Sequence, residues 1–435
     1  MILRREPQSL HRKNINKQHN MKILIIGRGG REHAIAWKVA QSNLVSQVFV
    51  APGNAGIGQQ FINVSINETD NAAIVQWSKE NAIDLVIIGP EAALQNGLAD
   101  ELIRNDIKVF GPTKAATQIE ASKEFAKELM RKYHIATADF ATFSDYESAK
   151  KYLDEKGAPI VIKYDGLAAG KGVVVAMTTE EADAALRDML LDTKFGEGKV
   201  VIEEYLEGPE FSLLTLVNGC EVVPLVIAQD HKRAYDGDEG PNTGGMGAYS
   251  PVTIIPQTAI DEAVEKIMKP VAAAMVEEGK PFCGVLYGGL MLTKKGPKVI
   301  EFNARFGDPE TEVVLPKIKS DLVQHFLDVL NGKPTQVEFH DDTFLGVVLA
   351  SKGYPGSYPK GLPINGLDEV KQLVFHMGTA KKDGKWVTAG GRVLFVVGRG
   401  RTIQEAQKDA YEGVHKINSD ALFYRNDIGH QAIDN

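Results

Sequence analysis

The sequence predicts a multidomain protein that combines α/β and α+β architecture, and three observations lead to this prediction. The chain has 435 residues, which is more than one hydrophobic core normally organises. From Lys22 to about Val109, short apolar runs such as ILII and LVII alternate with helical patterns, which is typical of a parallel α/β sheet. Beyond residue 159 the apolar runs follow one another mostly in hairpin order, which indicates an α+β middle part.

The order of these patterns predicts the domain boundaries. Residues 1–20 are polar and are expected to be a disordered tail or a mis-annotated start, because Met21 directly precedes the first strand. We expect an amino-terminal parallel α/β domain at 21–122, a central domain at 123–333 and a small carboxy-terminal α+β domain at 334–435. The central domain is expected to include a small lid subdomain at about 123–198, and the pattern at 113–133 predicts one long helix.

Composition restricts the classes of partner. The apolar share of 43% and the charged share of 24% are ordinary for a soluble globular protein. A net charge of -8 gives no broad basic field, so neither nucleic acid nor a membrane surface is expected as a partner. The two cysteines, Cys220 and Cys283, lie far apart without metal-ligand spacing. Together with the lack of a membrane-spanning apolar stretch, this predicts a cytoplasmic protein.

Three glycines mark the first candidate site. Gly27, Gly29 and Gly30 lie where a strand ends and a helix begins, so that free backbone N–H groups can face an anion such as a phosphate. A dinucleotide fingerprint would need glycine where Glu32 stands, which disfavours NAD. A tight turn without a ligand is the alternative interpretation.

A lysine and a glycine-rich loop form the second candidate site. Lys163 ends an apolar strand, and the loop after it, which contains Gly170, Lys171 and Gly172, leads into another strand. Such a hairpin can fold over a triphosphate while Lys163 and Lys171 offset its negative charge. Further on, Glu203 and Glu204 end an apolar strand and could hold an adenine base, with Glu210 at the ribose, although paired glutamates at a strand end are usually a solvated rim.

The segment 229–249 is polar and rich in glycine, which predicts a functional loop or a disordered one. Asp230, His231, Lys232 and Arg233 place both charge signs together, as a zwitterionic or phosphorylated substrate would require. Gly244, Gly245 and Gly247 would permit the loop to close as a lid.

The most informative pattern is EFNARFGDPET at 301–311. Glu301 and Asn303 are two residues apart and therefore project from the same face of a strand, where they could bind Mg²⁺. Arg305 could steady a transferred phosphoryl group, and Asp308 could hold a substrate ammonium group. A surface cluster of salt bridges is the alternative.

Taken together, the motifs resemble the glycinamide ribonucleotide synthetase family of the ATP-grasp superfamily. They occur in the family's order, namely GRGGREHA, APGNAG, GPEAAL, KYDGLAAGKGV, QDHKR, GPNTGGMGAYSP and EFNARFGDPET. The resemblance implies an ATP-grasp fold for the central domain and a ligase of purine biosynthesis. Such a ligase uses ATP to convert glycine to glycyl phosphate, which the amine of 5-phosphoribosylamine then attacks, giving glycinamide ribonucleotide, ADP and phosphate.

The resemblance also implies roles for individual residues. Those expected to bind ATP are Lys123 and Lys163 at the phosphates, Glu203, Glu204 and Leu206 at the base, and Glu210 at the ribose. Glu301 and Asn303 would hold Mg²⁺ or Mn²⁺. The GRGG turn and Gly89, Pro90 and Glu91 would receive the phosphoribosyl group, Asp230, Arg305 and Asp308 would surround glycine, and Lys163, Arg305 and Asp308 would be catalytic. The expected assembly is a monomer or a weak homodimer.

Two other interpretations remain open at this point. The chain could be another ATP-grasp ligase of purine synthesis that activates a different carboxylate in the same way. It could also be a nucleotide sensor that binds ATP without turnover, although Lys163, Glu301 and Arg305 argue against this.

Overall fold

Apolar strands with both faces buried form the amino-terminal sheet of the computed structural model, which describes residues 20–166, 168 and 172–434. The elements here are β1 (Met21–Gly27), α1 (Gly30–Val39), β2 (Val45–Pro52), β3 (Ile62–Asn63), α2 (Asn71–Glu80), β4 (Leu85–Ile88), α3 (Glu91–Gln95), α4 (Leu98–Arg104) and β5 (Val109–Phe110). The strands run parallel in the order β3-β2-β1-β4-β5. Ile23, Leu24, Ile25 and Ile26 are fully buried, as expected for a parallel strand covered on both faces.

A small antiparallel sheet follows and has its own apolar core. Its elements and the helices before it are α5 (Gln118–Ala121), α6 (Lys123–Lys132), β6 (Phe140–Phe143), α7 (Tyr146–Lys156), β7 (Ile160–Asp165), β8 (Val173–Ala176), α8 (Thr179–Leu190) and β9 (Lys199–Glu204). The strand order is β6-β9-β7-β8. The predicted hairpin on either side of the glycine-rich loop is confirmed, because β7 and β8 pair antiparallel.

The predicted long helix at 113–133 is wrong, since the chain breaks it between α5 and α6. Ser122 has an extended backbone and caps α6, with its hydroxyl accepting the Phe125 N–H at 3.0 Å. The backbone N–H of Lys123 donates to Asp165 Oδ1 at 2.6 Å. The first turn of α6 is therefore attached to the end of β7, which an uninterrupted helix would not permit.

The rest of the central part is built on a second antiparallel sheet. Its elements are β10 (Glu210–Asn218), β11 (Glu221–Pro224), β12 (Gln229–Asp230), β13 (Arg233–Tyr235), β14 (Glu239–Asn242), β15 (Gly247–Ser250), α9 (Gln257–Ala263), α10 (Lys269–Glu277), β16 (Cys283–Thr293), β17 (Gly296–Asn303), α11 (Thr311–Lys317) and α12 (Leu322–Leu330). The strand order is β11-β10-β16-β17. One π-helical turn joins α9 to α10, so the predicted helix at 258–278 is continuous.

The carboxy-terminal part contains a third sheet. Its elements are β18 (Thr343–Ser351), β19 (Leu373–His376), β20 (Thr379–Lys382), β21 (Lys385–Thr388), β22 (Arg392–Gly400), α13 (Ile403–Val414), β23 (Leu422–Phe423) and α14 (His430–Ile433). The main path of the sheet is β12-β15-β18-β22-β19, and β23 pairs with β18. The predicted fold class, with a parallel sheet, a central α+β part and a small carboxy-terminal α+β part, is confirmed.

The segment 229–249 is neither a disordered loop nor a free lid, because it forms β12 to β15. β15 pairs with β18 and β12 pairs with β15, so two strands of the third sheet come from the central part of the chain. Gly247 lies within β15, where sheet hydrogen bonds hold it, and cannot act as a hinge. Strand pairing therefore crosses the expected domain boundary at 333/334. The boundary itself stays a prediction.

Two large apolar clusters unite the amino-terminal, central and carboxy-terminal parts. One contains Leu24 and Val347, and the other contains Ile23 and Val348, so adjacent residues of β1 and of β18 belong to different clusters. The small sheet β6-β9-β7-β8 has a separate cluster around Ile162. Within the described ranges, no helix is long and apolar enough to cross a membrane.

We predict that Gly247→Ala destabilises the protein by about 1–3 kcal/mol, because overpacking a buried contact forces its neighbours to move. A methyl group on Gly247 would lie 2.6 Å from Ile428 Cδ1. Ile428→Ala alone should cost about 2–5 kcal/mol, and the double variant should cost clearly less than the sum. Urea unfolding followed by tryptophan fluorescence measures the cycle. Additive costs would contradict the packing, and Ile103→Ala, at a 53% exposed position, serves as the unaffected control.

Candidate active site

A cleft of about 840 Å³ lies where the parts of the chain meet. It is lined by residues of the amino-terminal part, the small sheet, β17 and the carboxy-terminal part. The predicted site residues among its lining are Glu91, Lys123, Lys163, Gly172, Glu203, Asp230, Lys232, Glu301, Asn303, Arg305 and Asp308. The structure therefore brings together both halves of the predicted site, the lysine strand and the EFN strand.

Lys163 is held at one end of the cleft by two buried contacts. Its ammonium group pairs with Glu203 Oε1 at 3.0 Å and donates to the Ile300 carbonyl at 3.0 Å. The other oxygen of Glu203 pairs with Lys127 at 3.1 Å. Burial lowers the pKa of Lys127 to about 8, although Glu203 opposes this shift. The Glu203 carboxylate thus lies between two ammonium groups.

A β-bulge explains why the Ile300 carbonyl is available to Lys163. Gly289 pairs with Glu301 and the next residue, Leu290, pairs with Val299, so Ile300 is the extra residue of β17. The bulge lies directly beside Glu301. The lysine of the small sheet and the carboxylate of β17 are consequently fixed to each other through one backbone group.

Glu301 and Asn303 project into the cleft from the carboxyl end of β17. Lys123 lies close by. Burial lowers the pKa of Lys123, and Glu301 is the charge that most strongly opposes this shift. Across the described residues, no cluster of three or more His, Cys, Asp or Glu is arranged to hold a metal. Two hard oxygen donors on one strand nevertheless fit Mg²⁺, which usually takes one or two protein ligands and fills its shell with water and phosphate oxygens.

Arg305 is bound by two carboxylates in the middle of the cleft. Its guanidinium pairs with Glu120 Oε1 at 3.0 Å and with Glu91 Oε2 at 3.5 Å. Glu120 also accepts the Ala304 N–H at 2.7 Å, which fixes the backbone beside Arg305. Burial raises the pKa of Glu120, whereas Arg305 opposes that shift. Arg305 therefore has a defined position and retains further N–H groups for a ligand.

Asp308 lies between two arginines. Arg392 pairs with Asp308 Oδ1 at 3.1 Å and also donates to the Gly244 carbonyl at 3.1 Å. Burial alone would raise the pKa of Asp308, but Arg392 and Arg31 outweigh it and hold the pKa below its usual value. Asp308 is thus an ionised carboxylate near neutral pH, as a group that attracts an ammonium substrate must be.

The GRGG turn closes on its own glutamate. Gly29 donates its backbone N–H to Glu32 Oε2 at 2.8 Å, and Arg31 pairs with Glu32 Oε1 at 2.7 Å. Side chains at Gly27 or Gly89 would collide with Glu32, which explains both glycines. Gly27, Gly29, Gly30, Gly89 and Pro90 are not among the residues lining the cleft. Their phosphate-binding role stays a prediction, and Arg31 is the residue of this motif that reaches the cleft.

The predicted residues that do not line the cleft lie at or beyond its rim, and Lys232 of the lining contacts one of them, Glu210. Lys232 pairs with Asp230 at 3.3 Å and with Glu210 at 3.5 Å. Glu204 and Glu210 are exposed, Leu206 is half-buried, and the exposed Arg233 lies on β13 outside the lining. Gly170 and Lys171 fall outside the described residues.

Sequence reasoning missed several residues that line the cleft, namely Arg31, Glu120, Lys127, Tyr287, Glu310 and Arg392. Tyr287 and Glu310 belong to a buried triangle with Ser212, in which the Tyr287 hydroxyl donates to Glu310 Oε1 at 2.8 Å. Burial, together with Asp230, raises the pKa of Glu310 to about 7. Lys127, four residues after Lys123 on the same helix face, carried a usable signal. Arg392, which joins the site from a distant strand, carried none.

Comparison with known proteins identifies the family of the chain. The family models described as phosphoribosylglycinamide synthetase match it in three parts, the N domain at 21–120, the ATP-grasp (A) domain at 121–311 and the C domain at 344–431. Phosphoribosylamine–glycine ligase of Halalkalibacterium halodurans is 54% identical over 417 residues, which cover 95% of this chain and 97% of that protein. The same enzyme of Listeria innocua is 51% identical, with 95% and 100% coverage.

Solved structures agree with this result. The crystal structure of phosphoribosylamine–glycine ligase from Thermotoga maritima superposes with a TM-score of 0.83 at 36% identity, covering 94% of this chain and 100% of that one. A biotin carboxylase from Campylobacter jejuni, at 15% identity with 95% of each chain covered and a TM-score of 0.71, shares the fold. The chain belongs to the phosphoribosylglycinamide synthetase family of ATP-grasp ligases.

Proposed function

We propose that this protein joins glycine to 5-phosphoribosylamine with ATP and a divalent cation, Mg²⁺ or Mn²⁺, to give glycinamide ribonucleotide, ADP and phosphate. The glycine carboxylate takes the terminal phosphoryl group of ATP and becomes glycyl phosphate. The amine then attacks the acyl carbon, loses a proton and expels phosphate. The observation that carries the proposal, beside membership of the family, is that Lys163 and Glu301 line one cleft.

The end of the cleft around Lys163 is suited to ATP. Lys123 and Lys163, with Gly172, are our candidates for the phosphates, and Glu203, Glu204 and Leu206 for the base, with Glu210 at the ribose. Because Glu203 lies between Lys127 and Lys163, it holds the Lys163 side chain in place for a polyanionic ligand. Glu301 and Asn303 would hold the cation, which would neutralise phosphate charge there.

The other end of the cleft is suited to an amino acid and an amine. Asp308 is ionised and can attract an ammonium group, and Arg305 has N–H groups available for a carboxylate or a transferred phosphoryl group. Asp230 and Lys232 add both charge signs, and the pairing of Lys232 with Glu210 places this pair beside the ribose candidate. Arg305 and Asp308, two of the three candidate catalytic groups, lie in the turn directly after β17, which carries the candidate cation ligands Glu301 and Asn303. This proximity is what phosphoryl transfer to a carboxylate requires.

We predict that ADP release requires glycine and freshly generated 5-phosphoribosylamine together. A coupled assay for ADP with each substrate omitted in turn measures this. Bicarbonate that replaced glycine equally well would instead favour a different ligase of the same superfamily. ATP binding without any ADP release would support a nucleotide sensor.

We predict that Glu301→Ala lowers turnover at least about a hundredfold, because charge stabilisation of a transferred phosphoryl group by a cation is worth several kcal/mol. The same assay at saturating ATP and cation measures the loss, with circular dichroism to establish that the variant is folded. Glu277→Ala, on the exposed face of α10, is the control. Near-normal turnover of Glu301→Ala would remove this residue from the cation site.

We predict that Glu203→Ala destabilises the protein by about 3–5 kcal/mol, since it leaves two buried ammonium groups without their carboxylate. It should also raise the KM for ATP, because Lys163 would lose its anchor. Urea unfolding and the ATP dependence of the rate measure the two effects. The adjacent Glu204 is exposed, so Glu204→Ala should change stability by less than about 1 kcal/mol. Equal losses of stability in both variants would show that the buried pairing of Glu203 with Lys127 and Lys163 does not stabilise the protein.

A further inference from the structure

A carboxy-terminal segment, residues 425–430, binds the hairpin β13–β14 through a buried arginine. Arg425 is fully buried, and its guanidinium contacts the hairpin and its own segment at once. It pairs with Asp238 at 2.9 Å and donates to the Arg233 carbonyl at 3.1 Å. It also makes two parallel hydrogen bonds of 2.8 Å to Asp427. Each nitrogen of the guanidinium therefore has a partner.

The turn of the hairpin is bound to the same segment by a second set of contacts. Asp427 accepts the Gly237 N–H at 2.9 Å, and Asp236 accepts the backbone and side-chain N–H groups of Asn426 at 2.7 and 2.9 Å. His430 Nε2 lies 2.9 Å from Asp238 Oδ2. Three consecutive hairpin residues, 236 to 238, are thus fixed from the carboxy-terminal segment.

The base of this hairpin carries two residues of the cleft, Asp230 and Lys232. His231 between them is buried, and its Nε2 accepts the Gly429 N–H at 3.1 Å. Burial lowers the pKa of His231 to about 4, so the ring is neutral and can accept this bond. The Lys232 carbonyl accepts the Thr243 N–H at 2.7 Å, which closes the hairpin above it.

The hairpin β13–β14 has few stabilising contacts within itself. β13 and β14 have three and four residues, and a two-stranded hairpin of that size is marginal in water. Of its strand residues only Ala234 is a buried apolar one. Backbone bonds of residues 230–232 to β15 and the residues before it fix the base of the hairpin. The turn at 236–238 is fixed by the carboxy-terminal segment.

We propose that Arg425 is a positioning residue, which through the segment 425–430 holds the hairpin so that Asp230 and Lys232 present their charges to glycine in the cleft. Arg425 itself is not among the residues lining the cleft. The inference rests on the proposed function, since it takes glycine as the ligand of this end. It assigns residues 425–430 a structural role in substrate binding, which the ligase reaction alone does not require.

The test is the variant Arg425→Gln in the full chain, with steady-state kinetics for each substrate. The KM for glycine rises at least about tenfold and kcat falls less than about threefold, because ground-state binding is lost. The KM for ATP rises clearly less than the KM for glycine, because the phosphate candidates Lys123 and Lys163 do not contact the hairpin. Arg425→Lys raises the KM for glycine less than Arg425→Gln does, because lysine keeps the positive charge but lacks the bidentate guanidinium group. Amide hydrogen exchange at 230–243 speeds up while exchange in β1 does not.

Controls separate positioning from stability. Val414→Ala removes buried volume from α13 without touching the hairpin, and Arg399→Gln removes an exposed arginine that pairs with Asp342. Both leave the KM for glycine unchanged. If Arg425→Gln does not fold, Asp236→Ala cuts only the Asn426 contacts at an exposed position and shifts the glycine KM in the same direction.

An unchanged glycine KM in Arg425→Gln, or an equal shift in Val414→Ala at a matched loss of thermal midpoint, would overturn the proposal. So would unchanged exchange at 230–243. Failure of the proposed function is distinguishable, because the unmodified protein would then release no glycine-dependent ADP, whereas the exchange measurement needs no activity.

Discussion

One buried ammonium group joins two of the sheets that line the cleft. Lys163 lies on β7 of the small sheet, and its contacts with Glu203 and the Ile300 carbonyl extend to β9 and β17. An ammonium group this deeply buried is tolerated only with a carboxylate and a further acceptor beside it, and the bulge at Ile300 supplies the latter. The relative position of Lys163 and Glu301 therefore depends on this pairing. A loosened small sheet would separate the lysine from the carboxylate as well as widen the cleft.

Two further buried charges of the cleft, Arg305 and Asp308, are paired with residues from other parts of the chain. Arg305 follows β17 and pairs with Glu120 of α5 and Glu91 of α3. Asp308 pairs with Arg392 of the third sheet. Removing any one part would leave buried charges unpaired, which is costly. The cleft is thus a property of the assembled chain, and no single part contains it.

The sequence predicted what local pattern determines. The strands β1, β7 and β17 and the hairpin around the glycine-rich loop were predictable because their apolar runs are continuous or alternate. The break at Ser122 was not, because its cause is Asp165, forty-odd residues away in a strand that attaches to the start of α6. Lys163, Glu301, Arg305 and Asp308 were found because they stand in recognisable motifs. Glu120 and Arg392 belong to the same site through long-range ion pairs with Arg305 and Asp308, and no spacing in the sequence predicts such pairs.

The segment 229–249 shows why composition misled the fold prediction. Glycine and charge without apolar periodicity normally indicate a loop, because a strand needs a buried face to repay its ordering. Here Met246, Ala248 and Tyr249 give the end of the segment a short buried face, and distant residues hold the polar part before it. Gly247 has no side chain and so leaves room for Ile428, and the charges of 236–238 are matched by Arg425 and its neighbours. Polar residues can therefore be as well ordered as apolar ones when a distant segment supplies their partners. An ordered polar segment of this kind can deliver Asp230 and Lys232 to a cleft, which an apolar strand could not do.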